Sequence, residues 1–415
     1  MAMTKKKGLA HLSVWLNHAR VGTITEIPND QNIFAFDPAY IADEHRPVLS
    51  LSFYNAEGFL DPEPQRTGMR VAPFFSNLLP EGELRHYVAQ RSGTKEARDL
   101  PLLELLGDDL PGAVIVRREQ DGPPPASDFS AEGLFKAETL QQEQPLRFSL
   151  AGVQMKFSAV GSPERGLTVP VEGKGGHWVL KLPSRQYPLV PENEYSMMQF
   201  ARAIGITVAE NGLVSAAEVE GLPDFMRTQA NALWVKRFDR AADGSRIHIE
   251  DFNQVYRQFP ESKYRNYSYG NIATDLSRIA ADSIAEFMRR LVFSAAIGNA
   301  DMHLKNWSLI YRDGRTPELS PAYDFVSTIA YMPDTTMSLS VAREKDVSKF
   351  DRELLNRFIA KIPAPPQLLR DAALHTAESI VHLWPSFQKD IPMAEEAKSK
   401  LTERMALFPL TKMFH

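Results

Sequence analysis

The chain has 415 residues, a formal net charge of −5, 43% hydrophobic residues and no cysteine. That apolar content supports a large soluble core in two or three structural units, and the lack of Cys excludes disulfides and Cys-based metal sites and suits a reducing cytoplasm. The acidic balance argues against one continuous nucleic-acid footprint, and no apolar run would cross a bilayer.

The basic start, Met1 to Lys7, leads to His11, Asn17 and His18, which is no signal-peptide core. Residues 9–54 read as an antiparallel sheet. Leu12–Leu16, Val21–Thr25, Ile33–Phe36 and Leu49–Phe53 alternate in short runs, with a turn at Asn17-His18. From Val71 to Gly107 the pattern is helical: Pro80-Glu81-Gly82 opens a segment with Leu84, Tyr87 and Val88, and a Leu-rich segment follows. Ala113–Val116 adds a strand. Pro123-Pro124-Pro125, among charged and small residues, marks a linker over 123–133 after a first unit at 1–122.

Ser149 to Gln154 is a small-residue turn holding Ala151, Gly152 and Val153, and Met155–Val160 reads as a strand. Such a turn can cover nucleotide phosphates with backbone N–H groups, although an ordinary hairpin reads the same way. The strand at His177–Pro183 sets Lys181 among apolar neighbours, where it needs a partner. The helix from Pro191 to Gly205, with an expected inward stripe of Tyr195, Met198, Ala201 and Ile204, offers Glu194, with Glu192 in competition. A strand at Ala232–Arg240 would turn the backbone of Lys236 to Phe238 toward an adenine. Arg257, Lys263 and Arg265 read as a solvated basic face. From Asp275 onward helical periodicity dominates, at 282–296, 350–362, 367–383 and 395–407.

The informative stretch is Ser294–Asp324. The helix before it opens with Ser283 and Glu286 in capping-box spacing and stops at Gly298-Asn299. Asp301 follows in a loop, Trp307–Tyr311 is strand-like, and Asp313-Gly314 is a hairpin turn that returns Asp324 toward Asn306. Phosphoryl transfer needs this inventory: a carboxylate for the attacking hydroxyl (Asp301), an amide and a carboxylate for Mg²⁺ (Asn306, Asp324), and a cation for the transferring phosphate, from Lys305 or His303. The layout predicted is α+β, a two-lobed protein-kinase-like fold with a β-rich N-terminal part, an ATP-binding part at 134–245 and an all-helical C-terminal lobe at 246–415.

Several stretches together resemble the HipA family of bacterial serine/threonine protein kinase toxins: Ser149–Lys156, Trp178-Val-Leu-Lys-Leu-Pro, Glu192-Asn-Glu-Tyr, Val235–Arg240, Gly298–Asn306 and Ser320–Asp324. Trp15–Thr23 and Phe75–Gly82 resemble that family's N-terminal coupling region. The resemblance implies Asp301 as catalytic base, Asn306 and Asp324 as Mg²⁺ ligands, and Lys181 as the ATP-phosphate lysine. It further implies adenine contacts at Lys236 and Phe238, with Tyr323 grouped among the nucleotide-binding residues, and Ser149 as an inactivating autophosphorylation site. Its implied partners are a HipB-like helix-turn-helix antitoxin, DNA only through that antitoxin, and a protein substrate such as an aminoacyl-tRNA synthetase, glutamyl-tRNA synthetase for example. The implied outcome is inhibited translation, growth arrest and persistence. Val326 departs from the Gly of a standard D-F-G, so activation-loop logic does not carry over. Two rival readings are a lipid or small-molecule phosphotransferase and a non-catalytic co-repressor acting with a DNA-binding partner.

Overall fold

The computed structural model describes residues 10–124, 156–163, 166–169, 175–184, 186–332 and 336–415. Ser149, Ala151, Gly152 and Val153 lie outside these described residues, as does the linker beyond Pro124.

The first sheet grows from alternating runs. β1 (His11–Leu16), β2 (Ala19–Ile27) and β3 (Gln31–Phe36) form successive antiparallel hairpins. After α1 (Pro38–Ala42) come β4 (Gln65–Thr67), α2 (Pro73–Ser76), α3 (Gly82–Ser92), α4 (Asp99–Leu106) and β5 (Val114–Arg118). β5 returns to pair with β1, giving the order β4-β3-β2-β1-β5. Leu12, Val14 and Leu16 point to one face, as a period of two requires. Phe34 packs on Phe75 at 4.8 Å between ring centroids. Leu49–Phe53 does not form the expected strand. Leu51–Phe53 is a 3-10 turn, because Ser50 Oγ and the Leu51 amide both donate to the buried Glu250 carboxylate (2.5 and 3.0 Å) and bend the chain around it.

The second sheet contains β6 (Lys156–Ser162), β7 (Gly166–Thr168), β8 (Trp178–Lys181), β9 (Asn211–Ser215) and β10 (Asn231–Lys236), with α5 (Val190–Ala203) between β8 and β9. Its order is β7-β6-β8-β10-β9. Leu180 and Ala232 share one apolar core with Leu12, Val14 and Phe75. Beside that core lies a buried charge lattice. Arg237 donates to Asp109 (3.0 Å) and Asp239 (2.9 Å), Arg240 donates to the same two, and Asp239 accepts the Gly112 amide (2.8 Å). Arg246, donating to the Asp108 carbonyl (2.6 Å), sets a third guanidinium beside these two carboxylates, and removing either carboxylate would leave buried cations uncompensated. The stripe of α5 is wider than expected: Met197 and Phe200 are buried with Met198 and Ala201, while Tyr195 and Ile204 are half-buried. Phe200 explains this, since it packs on Phe293, Trp384 and Phe387.

The remainder contains β11 (His248–Asp251), α6 (Phe252–Val255), α7 (Tyr269–Ile279), α8 (Ile284–Ala296), β12 (Ser308–Tyr311), β13 (Glu318–Leu319), β14 (Thr336–Val341), β15 (Glu344–Asp346), α9 (Arg352–Ile359), α10 (Pro366–Phe387) and α11 (Glu395–Leu407). The expected all-helical lobe is therefore corrected: this region holds a three-stranded sheet, β11-β12-β13, and a β14-β15 hairpin. All four residues of β12 are buried. Its backbone groups, cut off from water, need strand partners on both edges. The capping box at Ser283 is also absent. Ser283 Oγ accepts the Leu319 amide (3.0 Å), and Glu286 accepts the Thr207 amide (3.0 Å) and pairs with Arg290. A second apolar core, including Phe287, Met288, Phe293, Trp307, Leu369 and Trp384, joins α5, α8 and α10. Among the described residues no helix is long and apolar enough to cross a membrane.

Candidate active site

The loop after α8 is pinned by its backbone. Gly298 has φ 65°, and a Cβ there would meet Ile329 at 2.6 Å, so a side chain at this turn would be strained. Asn299 Oδ1 accepts the Asp301 amide (3.0 Å), and Asn306 Nδ2 donates to the Asp301 carbonyl (2.8 Å). Tyr269 donates to the Met302 carbonyl (2.9 Å) and Tyr323 to that of Lys305 (2.8 Å). With its backbone spoken for, the loop offers the Asp301 carboxylate, 56% exposed, to a cleft of about 1450 Å³. That exceeds the ~300–1,000 Å³ of single small-ligand sites and leaves room for a nucleotide and a second group. The cleft walls raise the Asp301 pKa by desolvation, and a hydrogen bond from Tyr264 partly offsets this. His303 Nε2 lies 3.9 Å from Asp301. Burial, then Lys263 and Lys305, push the His303 pKa down to about 3, so the ring is neutral at physiological pH. His303 therefore drops out as the phosphate-neutralising cation.

Across the cleft, Lys181 on β8 donates to Glu194 on α5 and to Asp324. Glu192, the competitor for that pairing, instead accepts from Asn231 Nδ2 (2.9 Å). Lys156, the register partner of Lys181 on β6, donates to the other Asp324 oxygen at 3.5 Å. Burial alone would raise the Asp324 pKa, but Lys156 and Lys181 hold it far below the ordinary range. Glu194 is more deeply enclosed, and burial pushes its pKa up against the pull of Lys181. Asp324 has φ 56°, left-handed for a non-glycine residue, which turns its carboxylate into the cluster.

Asn306 and Asp324 line the same cleft, though no bond joins them among the described residues. The Asn306 amide nitrogen is held by the loop, which leaves its oxygen, the atom a cation takes. Toward the base side, the Lys236 amide is already committed to the Glu210 carbonyl (2.7 Å) and that of Arg237 to His177 (2.7 Å). Lys236 therefore has no amide to offer an adenine. Phe238 packs on Tyr323 at 5.7 Å, and both rings line the cleft. The Tyr323 hydroxyl is taken by Ser308 and the Lys305 carbonyl, so Tyr323 braces the loop as well as lining it.

Lys305 is only 6% exposed and donates to Glu81 of the first unit (2.5 Å) and to the Asn77 carbonyl (3.3 Å). Glu81 also accepts from Lys263 (3.1 Å). The solvated basic face is thus corrected: Arg265 faces water, Arg257 is exposed but donates Nε to the Ser52 carbonyl, and Lys263 turns inward to Glu81. Burial would raise the Glu81 pKa, yet Lys305 and Lys263 hold it down to about 2. Glu81 and Lys156 lie inside stretches the sequence singles out but carry no role there, and Tyr264 is not singled out at all. A charge beside Pro80-Gly82 at a helix start was the only local sign of Glu81, and its partners lie 182 and 224 positions away.

Comparisons with known proteins bear on the whole chain. Residues 148–384 match the family model described as HipA-like C-terminal domain, and residues 12–117 match that of the HipA N-terminal domain. The chain is 45% identical over 408 residues to the "Putative kinase Y4dM" of Sinorhizobium fredii, covering 97% of this chain and 98% of that one. It is 24% identical over 338 residues to the serine/threonine-protein kinase toxin HipA of Shewanella oneidensis, covering 73% and 74%. In fold it is similar to a chain in the Shewanella oneidensis complex of HipA, HipB and operator DNA, with a TM-score of 0.71, 20% identity and coverage of 97% and 96%. Both halves of the chain, joined in the family's order, place it in one group: the chain belongs to the HipA family.

Proposed function

We propose that this chain is an ATP-dependent serine/threonine protein kinase and the toxin of a toxin–antitoxin pair, acting in the cytoplasm. The observation that carries the reading is the rigid loop presenting Asp301 to a cleft whose other wall holds the Lys181–Glu194–Asp324 cluster. Asp301 accepts the proton of a substrate hydroxyl as that oxygen bonds to the γ-phosphorus. The phosphorus–oxygen bond to the β-phosphate breaks and ADP leaves. Lys181, oriented by Glu194, holds the phosphates, and Lys305 steadies charge near the acceptor. Phosphate oxygens would meet Lys156 and Lys181 here, whose side chains converge on Asp324 beside Glu194. Asp324 and the Asn306 oxygen would hold Mg²⁺, which when bound neutralises charge on the phosphates. The base is met by the Phe238 amide or the Lys236 carbonyl, with the Phe238 and Tyr323 rings beside it.

Ser149, with Ala151, Gly152 and Val153, covers the phosphates in this reading. Phosphorylation of Ser149 would add about −1.5 to −2 charges and expel the nucleotide. The partner is a HipB-like helix-turn-helix antitoxin that carries the DNA contacts, a reading supported by the likeness in fold to the HipA–HipB–operator complex. The substrate is a protein, on the family's pattern an aminoacyl-tRNA synthetase such as glutamyl-tRNA synthetase, and its loss slows translation and arrests growth. Incubation with labelled ATP, a cell lysate, and separate lipid and metabolite pools tests this. Label should enter one protein band besides the kinase's own with the wild type, and none with Asp301→Asn. Label entering only lipids or metabolites would overturn the protein-kinase reading.

A further inference from the structure

If Asp301 receives the acceptor's proton, the partner of its carboxylate marks the acceptor's place. That place is filled: the Tyr264 hydroxyl donates to Asp301 Oδ1. Tyr264 is 40% exposed and sits on the loop leading into α7, outside any regular element. Its ring meets His303 edge-on at 4.9 Å, which sets it at the mouth of the catalytic loop rather than in a core. The same loop is tied to the first unit. Arg70 pairs with Glu261 and lies over the Phe259 ring at 4.9 Å, Lys263 pairs with Glu81, and Asn77 donates to the Gln258 carbonyl (2.8 Å). On the other side the Lys263 carbonyl accepts the Leu304 amide of the catalytic loop (3.2 Å). A phenol held this way occupies one hydrogen-bonding position without blocking the wider cleft.

We propose, resting on the kinase reading above, that Tyr264 is a specificity-determining gate: its hydroxyl occupies the acceptor position on Asp301, held there by the first unit. Water and stray hydroxyls fail to displace it, whereas a protein segment that lifts the 259–268 loop does. Phosphotransfer then waits on a substrate that engages the loop, and ATP is not spent on water.

The test is ADP release from Mg-ATP with water as the acceptor. Tyr264→Phe keeps the ring on His303 and removes only the hydroxyl. Hydrogen bonds to charged groups are strong enough that the rate should rise by at least about tenfold, with KM for Mg-ATP unchanged. Glu261→Gln, which loosens the loop at an exposed anchor, should move the rate the same way by less. Adding Asp301→Asn to Tyr264→Phe should abolish the gain. A Tyr264→Phe rate equal to or below wild type, with Mg-ATP still raising the melting temperature, would remove the gate alone. Phosphate found on Tyr264 of the wild type by peptide mass analysis would also overturn it, making the residue an acceptor. A wild type that neither binds Mg-ATP nor releases ADP would overturn the kinase reading and the gate with it.

Discussion

Glu81 and Lys305 stand 224 positions apart in sequence and 2.5 Å apart in the fold. One belongs to the first unit and the other to the loop of Asp301, so a carboxylate of the first unit holds that loop's cation. Because Lys263 shares the same carboxylate, Glu81 ties together the Asp301 loop and the loop facing it.

Glu81→Gln leaves two largely buried ammoniums without their counter-charge. Breaking a buried pair in this way costs about 3–5 kcal/mol, and urea unfolding at pH 7 should show a loss of that order. The wild-type contribution also depends on pH. The Glu81 pKa falls from 4.5 unfolded to about 2 folded, so its stabilisation is present above pH 4.5 and disappears as pH drops toward 2. Glu81→Gln should flatten that acid limb.

Asp301→Asn should lower phosphotransfer by roughly 10²–10⁴-fold, the range for a positioned base, while Mg-ATP binding persists. Single-turnover kinetics beside calorimetric titration separates the two effects. Unchanged turnover would reassign the base.

Asp324→Ala should abolish the stabilisation by Mg-ATP, which for wild type at 100-fold over Kd is about 2.7 kcal/mol. A thermal shift equal to wild type would show that the carboxylate holds no metal. The substitution also leaves Lys181 with Glu194 as its remaining carboxylate partner, so the unliganded variant should melt lower.

Glu250 behaves in the opposite sense to Glu81. Burial, opposed by hydrogen bonds from Ser50, Tyr311 and the Leu51 amide, pushes its pKa up from 4.5 to about 7. The folded chain therefore holds a proton that the unfolded chain has lost. Stability falls as pH rises from about 4.5 to 7, by about 3 kcal/mol for a shift of this size. Glu250→Gln keeps the shape and removes the titration. Urea midpoints at pH 5, 6, 7 and 8 should decline less steeply in that variant than in wild type.

What the sequence disclosed was mostly local. α8, the Asp301 loop, the hairpin at Asp313-Gly314 and the return to Asp324 follow from periodicity and turn chemistry within some 40 residues. Lys181 and Glu194 were legible because a charged strand residue demands a nearby partner. Failures came where a distant group overrides a local preference. Ser50–Phe53 bends around Glu250, Ser283 answers Leu319 instead of its own helix, and β11 exists because β12 needs a second neighbour. Lys263 read as solvent-facing since nothing nearby announced Glu81. Tyr264 looked like any loop aromatic until the fold set its hydroxyl on Asp301.

The buried lattice of Asp109, Arg237, Asp239 and Arg240 has a consequence for timing during synthesis. Asp109 emerges from the ribosome 128 residues before Arg237, and Glu81 emerges 224 before Lys305. At about 5–20 residues per second, the second interval lasts roughly 10 to 45 s. Asp109 gains Arg237 and Arg240 partway through it, whereas Glu81 has neither Lys263 nor Lys305 until its last quarter. A nascent chain therefore has no assembled cleft to act with, and any partner that clasps the first unit reaches it before the cleft closes.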